Sequence, residues 1–305
     1  GLDVLCCIAR YYSSRAHFSN HAGTWMLHGV TGPNEYENNV SNNWYTNRIA
    51  KWSINYFLEA YTKASDERRQ ALAVTQDELA RMREVSSGMY EPTDENLGVF
   101  VQHDTFLDKE LLLASAIPPE DRPINQHWSW DRILRSCYIK QADVLQGLFF
   151  LSHLYDKDTK KRNFDFYEPM TVHESSLSPC VHSILAAEIG YREKAVELYR
   201  RTARLDLDNI NSDTSDGLHI TSMAGSWLCI AKGFAGMRTV DGLSLDPFLP
   251  ECWKRYAFNF EYRGRTLRCS VDATQAQLTL LSGEPFKLTL CGHAATLRDV
   301  LTCLL

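Results

Sequence analysis

The sequence predicts a mainly helical protein with a small antiparallel β-sheet domain at its C-terminal end. Up to residue 236, apolar residues recur every three or four positions, which is the period of an amphipathic helix. Beyond it, short runs alternate between apolar and polar residues, as strands do. A chain of 305 residues, 44% hydrophobic and 23% charged, is long enough for one large and one small domain. We therefore predict a helical domain over residues 1–236 and a β-sheet domain over residues 237–305.

The first helices are predicted from apolar stripes and from residues that favour helix starts. Residues 2–16 carry a core-facing stripe, and because the helical pattern is present from the start, we expect the natural N-terminus to lie upstream. A second helix covers residues 48–64, with Thr46 or Asn47 as its cap. A third covers residues 66–85 and has one charged and one apolar face.

Residues 86–126 are predicted to be irregular, because glycine and proline interrupt them repeatedly. Irregular stretches of this length in compact domains are usually functional or wrap another domain. Residues 100–104, Phe-Val-Gln-His-Asp, are therefore expected either to approach a substrate or to pack against a part of the protein that lies outside this chain.

The later elements are predicted in the same way. Residues 144–154 are strongly apolar and form a central helix. Ser178 and Pro179 predict the cap and the first residue of a helix over residues 180–189. Two further helices are predicted at residues 191–204 and 216–231, and four strands at residues 258–262, 266–271, 277–281 and 286–290.

Charge and cysteine usage exclude several classes of protein. A formal net charge of −6 with scattered lysines and arginines provides no basic surface for nucleic acid. No run of about eighteen apolar residues predicts a membrane span. The nine cysteines include no Cys-x-x-Cys pair and lie mostly in apolar runs, which predicts reduced thiols in a cytoplasmic protein.

The stretch from residue 29 to residue 47 concentrates polar chemistry between two helices. It contains six asparagines, two carboxylates and several aromatic residues, and Gly32-Pro33-Asn34 marks a turn. Aromatic rings stack on sugar faces, while amides and carboxylates bind sugar hydroxyls. This mixture is typical of a carbohydrate site, and the helix that follows holds the loop at its N-terminal end.

The run Gly32-Pro33-Asn34-Glu35-Tyr36, followed by Glu-Asn-Asn-Val and Asn-Trp-Tyr-Thr-Asn, resembles the signature of the disaccharide phosphorylases of glycoside hydrolase family 65. The resemblance implies the latter part of an (α/α)6 barrel, followed by a C-terminal β-sheet domain. It also implies that Glu35 is the general acid. Asn34 and Glu37 stand where many relatives acting on other glucose linkages have Asp and His, which favours the branch that acts on maltose.

Three further positions match the family. Lys140 and Gln141, in a Lys-Gln-Ala-Asp-Val run, resemble the pair that contacts the substrate glucose, and the alternative is a salt bridge from Lys140 to Asp143 at a helix start. Ser175 and Ser176 lie just before a helix, where free backbone N–H groups favour an anion, and the alternative is that they only cap and turn.

His219 also lies at a predicted helix start. It matches the family histidine that holds phosphate, since a ring N–H can donate to an anion while a neighbour orients the other nitrogen. The alternative is a purely structural histidine. Because all of these motif loops precede helices, we expect them to meet at one end of the barrel.

The resemblance implies inverting phosphorolysis of an α-glucoside disaccharide. Glu35 would protonate the glycosidic oxygen from a partly dry setting, and phosphate held by the two serines, His219 and Lys140 would attack C1. Disaccharide and phosphate are then the only small-molecule partners, no metal or organic cofactor is needed, and the family implies a homodimer.

Two alternatives stay open. An inverting α-glucoside hydrolase of the trehalase kind would use Glu174 or Glu168 as the base that activates water. A non-catalytic carbohydrate-binding fragment would bind sugar without turnover. Adding phosphate separates the first alternative from a phosphorylase, and binding without phosphate-dependent cleavage indicates the second.

Overall fold

The computed structural model describes all 305 residues, which form two compact units. Unit 1 comprises Gly1–Phe150 and Asp165–Val172, and unit 2 comprises Leu151–Phe164 and His173–Leu305. This division falls within the helical region, whereas the boundary at residue 236 follows the change from helix to strand. The sequence-based domain boundary therefore stays a prediction.

Unit 1 is built from helices and very short strands. Its core forms where three helices pack through residues such as Cys6, Ile54, Phe57 and Met82. The helices are α1 Leu2–Arg15, α2 Trp44–Lys63, α3 Asp66–Leu72, α4 Gln76–Ser87, α5 Ile124–His127, α6 Trp130–Arg135 and α7 Val144–Phe150. The strands are β1 His17–Ser19, β2 Thr24–Met26, β3 Thr93–Asp94 and β4 Val99–Phe100.

Two helix boundaries in unit 1 differ from the prediction. Helix α2 begins four residues early, because Asn43 is the cap and its side chain accepts a hydrogen bond from Thr46 N at 2.8 Å. The helix predicted over residues 66–85 is two helices. Ala73 adopts a left-handed conformation at φ 48°, and Thr75 and Glu78 then form a capping box that starts α4.

The stretch over residues 86–126 contains only short elements, as predicted. Its segment at residues 100–104 packs against the polar loop that precedes α2. Gln102 O accepts a hydrogen bond from Trp44 N at 3.0 Å, and the Asp104 carboxylate accepts one from Asn42 at 2.8 Å. The structure thus shows contacts of this segment within unit 1, and both expectations for it stay predictions.

Unit 2 begins with helices and ends with strands. A helix at residues 157–167 was not predicted, and the last helix changes from α to π geometry at Cys229–Phe234. The helices are α8 Lys157–Tyr167, which ends in unit 1, α9 Ser178–Ile189, α10 Arg192–Ala203 and α11 Ile220–Leu228. The strands are β5 Ser244–Leu245, β6 Arg255–Tyr262, β7 Arg265–Asp272, β8 Gln275–Ser282, β9 Phe286–Leu290, β10 His293–Leu297 and β11 Val300–Leu304.

The strands of unit 2 form two sheets. One is antiparallel with the order β11-β8-β7-β6, and its β6–β7 hairpin turns at Arg263 and Gly264, which both have positive φ. The other has the order β10-β9-β5, and β5 runs parallel to β9. The four predicted strands are all present, and β5, β10 and β11 are additional. No helix of the chain combines the length and apolar character needed to cross a bilayer.

Candidate functional site

A tight turn presents Glu35 in unit 1. Gly32 has φ +77°, a conformation that favours glycine. The Asn43 amide packs against its Cα, where any other residue would carry a Cβ. Asn34 is fully buried, and its Oδ1 accepts hydrogen bonds from Tyr36 N at 3.2 Å and Lys140 N at 3.0 Å. The turn is therefore tied to the segment that carries Lys140.

Glu35 and Lys140 are in direct contact. The Lys140 ammonium forms an ion pair with the Glu35 carboxylate, and the Glu35 side chain is 54% exposed. Lys140 thus forms its ion pair with Glu35. The alternative, a salt bridge from Lys140 to Asp143, is wrong. The setting of Glu35 is also more open than the expected partly dry one.

The second carboxylate of the loop, Glu37, has a different role. Its side chain is only 5% exposed, it pairs with Lys109, and its Oε1 lies 3.3 Å from His103 Nε2. A buried carboxylate that already forms an ion pair is not accessible to a substrate. Glu35 is therefore the accessible acid of this loop.

Gln141 supports the turn. It is buried, and its Nε2 donates to Pro33 O at 2.8 Å, while its Oε1 has no hydrogen-bond partner. The predicted contact of Gln141 with a sugar could therefore use Oε1 or the second N–H of Nε2.

Asp143 was missed as a functional candidate. It lies directly before α7, is 2% exposed and accepts hydrogen bonds from Asn34 N at 3.0 Å and from Asn43 Nδ2 at 2.9 Å. Burial raises the pKa of Asp143 to about 7. A carboxylate at the start of an apolar helix is the only signal for Asp143 in the sequence, where it enters only as the partner of Lys140 in the alternative salt bridge.

In unit 2, Ser175 and Ser176 precede α9, as predicted. The helix begins one residue earlier than expected. Leu177 occupies the cap position without a side-chain hydrogen bond, and Ser178 is the first helical residue. The Ser178 hydroxyl bonds His173 Nδ1 at 2.8 Å instead of capping. Ser175 Oγ accepts a hydrogen bond from Leu177 N at 3.2 Å, which leaves its hydroxyl proton available to an anion.

His219 occupies the cap position of α11 and is held by two carboxylates. Its Nδ1 lies 2.6 Å from Asp206 Oδ1, its backbone N donates to Asp206 Oδ2 at 2.8 Å, and its Nε2 lies 3.4 Å from Asp213. The hydrogen bond to Asp206 raises the pKa of His219, and the charge of Asp213 adds to it. An anion at Nε2 must therefore compete with Asp213.

The serines and His219 lie at the same end of a helix pair. Cys180 of α9 lies against Gly225 of α11, and Ile184, further along α9, lies against Gly233, further along the last helix. Residue numbers in contact therefore increase together along the two helices. The two helices are therefore parallel, and both N-termini lie at one end. Unit 2 thus brings the predicted phosphate residues to one end of the pair, as unit 1 brings Glu35, Lys140 and Gln141 together.

The carboxylates around His219 predict how stability depends on pH. Because the folded-state pKa of His219 is raised, His219 contributes to the free energy of unfolding. This contribution is complete below the ordinary pKa of about 6.5 and is lost as pH rises through the raised pKa. In urea unfolding, the wild type should therefore exceed H219Q in midpoint at about pH 6 and lose that advantage by about pH 9.

The control for this prediction is H293Q, which changes an exposed histidine of β10. It should show no such trend. A difference between wild type and H219Q that stays constant over the whole range would contradict the role of the two carboxylates.

Comparison with known proteins gives consistent matches over both parts of the chain. The model described as "Glycosyl hydrolase family 65 central catalytic domain" matches residues 1–228, and the family's C-terminal domain matches residues 237–297. The maltose phosphorylase of Bacillus subtilis (strain 168) is 55% identical over 98% of this chain and 40% of its own length. An alpha,alpha-trehalose phosphorylase of Geobacillus stearothermophilus is 38% identical over 96% of this chain and 39% of its own length.

A solved structure matches as well. A putative kojibiose phosphorylase from human microbiome has a TM-score of 0.93 and 33% identity, covering 100% of this chain and 43% of its own. The predicted fold class, the latter part of an (α/α)6 barrel followed by a small β-sheet domain, is thereby confirmed. The chain spans about two fifths of the length of the curated relatives it matches.

Proposed function

Because the chain belongs to glycosyl hydrolase family 65, as its motifs predicted, we propose that its activity is the inverting phosphorolysis of an α-glucoside disaccharide. The proposed substrate is maltose, and the products are β-D-glucose 1-phosphate and D-glucose. The identity of 55% to a maltose phosphorylase supports this choice. The resemblance of the signature loop, with Asn34 and Glu37 where many relatives acting on other linkages have Asp and His, agrees with this choice.

The observation that carries the proposal is the contact between Glu35 and Lys140. It places one accessible carboxylate beside one cation, while Glu37 is buried and already paired. A disaccharide whose hydroxyls bind the Lys140 ammonium would leave the Glu35 carboxyl free to face the glycosidic oxygen. Glu35 would then donate a proton to this oxygen as the bond from C1 breaks.

Phosphate replaces both the base and the water of an inverting hydrolase. Its oxygen forms the new bond to C1 on the face opposite the departing sugar, so the product has the β configuration. Ser175, Ser176 and His219 are the proposed phosphate ligands, because two hydroxyls and a histidine with a raised pKa provide donors for an anion. This scheme requires no metal or organic cofactor.

The test is a phosphorolysis panel on the purified full-length protein. Maltose, trehalose, kojibiose and nigerose are each incubated with and without inorganic phosphate, and the products are followed by NMR, which reports the anomer. We expect β-glucose 1-phosphate from maltose only when phosphate is present. Phosphate-independent release of glucose would indicate the hydrolase, and sugar binding without turnover would indicate a binding protein. Phosphorolysis of another disaccharide would correct the substrate.

Two partner and location predictions also remain proposals. A homodimer is implied by the family, and light scattering of the full-length protein would test it. All nine cysteines are free thiols in the structure, which supports a reducing compartment such as the cytoplasm.

A further inference from the structure

Asp143 connects the turn that carries Glu35 to the start of α2. Its Oδ2 accepts a hydrogen bond from the backbone N–H of Asn34, the residue before Glu35, at 3.0 Å. Both of its oxygens also face Asn43 Nδ2, at 2.9 Å and 3.1 Å. Because Asn43 caps α2, the carboxylate fixes the turn to a rigid helix.

The same network reaches Lys140. Asn34 Oδ1 accepts a hydrogen bond from Lys140 N at 3.0 Å, so one buried amide side chain joins the peptide of the acid to the peptide of its cation. Asp143 lies three residues after Lys140, and its carboxylate accepts the hydrogen bond from the backbone N–H of the same Asn34. The segment 140–143 thus holds Asn34 at two points. The positions of Glu35 and Lys140 therefore depend on one buried carboxylate.

We propose that Asp143 is a positioning residue that holds Glu35 where it can protonate the glycosidic oxygen. The inference rests on the proposed function. Asp143 itself is buried and touches no substrate, so it acts only through Asn34 and Asn43.

The surroundings of Asp143 show that its burial is costly. Its hydrogen-bond donors, Asn34 N and Asn43 Nδ2, are amides, and the titratable groups that interact with it are Glu37, Tyr45 and Tyr167. Burial without a neighbouring cation raises the pKa of Asp143 to about 7. A stable core would favour an apolar residue here, and the hydrogen bonds to the turn give the carboxylate its role.

The experiment compares two substrates that differ in their need for an acid. In maltose, the bond from C1 to oxygen breaks, a phosphate oxygen bonds to C1, and the Glu35 proton goes to the departing oxygen. In α-D-glucosyl fluoride, the bond from C1 to fluorine breaks and fluoride departs as the anion, so no proton is required. A misplaced acid should therefore slow the first reaction far more than the second.

The variant is Asp143→Asn in the full-length protein. Its new amide group turns one acceptor into a donor that faces the donor Nδ2 of Asn43, so the turn shifts. We expect kcat for maltose to fall about 10- to 100-fold, with KM within about threefold, because small displacements of a catalytic group have effects of this size. The rate on α-D-glucosyl fluoride should fall less than about threefold.

Two further variants complete the design. The variant D143A removes both acceptor oxygens without placing a donor against Asn43 Nδ2, and should show the same selective loss on maltose. It also carries the test if D143N does not fold. D77N is the control, because Asp77 is an exposed carboxylate in the first turn of α4 in the same unit, and its activity should stay within about threefold of wild type.

The outcomes separate the two proposals. Equal loss on both substrates in D143N or in D143A would overturn the positioning role. A wild type without phosphate-dependent turnover of either substrate would overturn the proposed function, and with it this role. Wild-type turnover with selective loss in D143N supports both.

Discussion

Replacing Glu35 by Gln should lower the rate of maltose phosphorolysis about 100- to 10,000-fold. The amide keeps the size of the side chain but cannot donate a carboxyl proton to the glycosidic oxygen. The loss should appear in kcat, measured with saturating maltose and phosphate. With α-D-glucosyl fluoride, which departs without a proton, the rate of E35Q should remain close to that of wild type.

The matched control is E95Q, which changes an exposed carboxylate of a turn in the same unit and should leave the rate unchanged. A loss of less than about fivefold in E35Q on maltose would remove Glu35 from the role of general acid. An equally large loss on the fluoride would show that position 35 acts in binding or folding instead.

Replacing Gly32 by Ala should destabilise the protein by about 2–4 kcal/mol and strongly reduce activity. The left-handed conformation at φ +77° is unfavourable for alanine. In addition, the new Cβ would lie 2.5 Å from Asn43 Nδ2 and 2.6 Å from its Cγ, so the side chain that caps α2 and bonds Asp143 must move. Equilibrium unfolding in urea measures the loss of stability.

Gly23 provides the control for this prediction. It also has a left-handed conformation, at φ +68°, but no heavy atom lies within 4 Å of a Cβ built on it. The G23A variant should therefore lose only the conformational share, about 1–2 kcal/mol, and keep its activity. Equal losses in G32A and G23A would show that the clash with Asn43 has no effect.

The fold was predictable wherever the signal was local. The β6–β7 hairpin follows from alternation on both sides of Arg263-Gly264, and α1 follows from its apolar stripe. Boundaries were less predictable, because several residues in one segment can cap a helix. Asn43, rather than Thr46, caps α2, because the Asn43 amide also donates to Gln102 O and to Asp143, which lie far along the chain.

The chemical identities of the candidate site residues were determined by the sequence alone: Glu35, Lys140 and Gln141 in one unit, and Ser175, Ser176 and His219 in the other. Their partners were decided by the tertiary structure. Lys140 pairs with Glu35 across 105 residues, and Asp143 bonds Asn34 across 109. Periodicity and capping rules describe neighbours within one element, whereas the choice of a buried hydrogen-bond partner depends on which donors the packed chain places within reach of each acceptor.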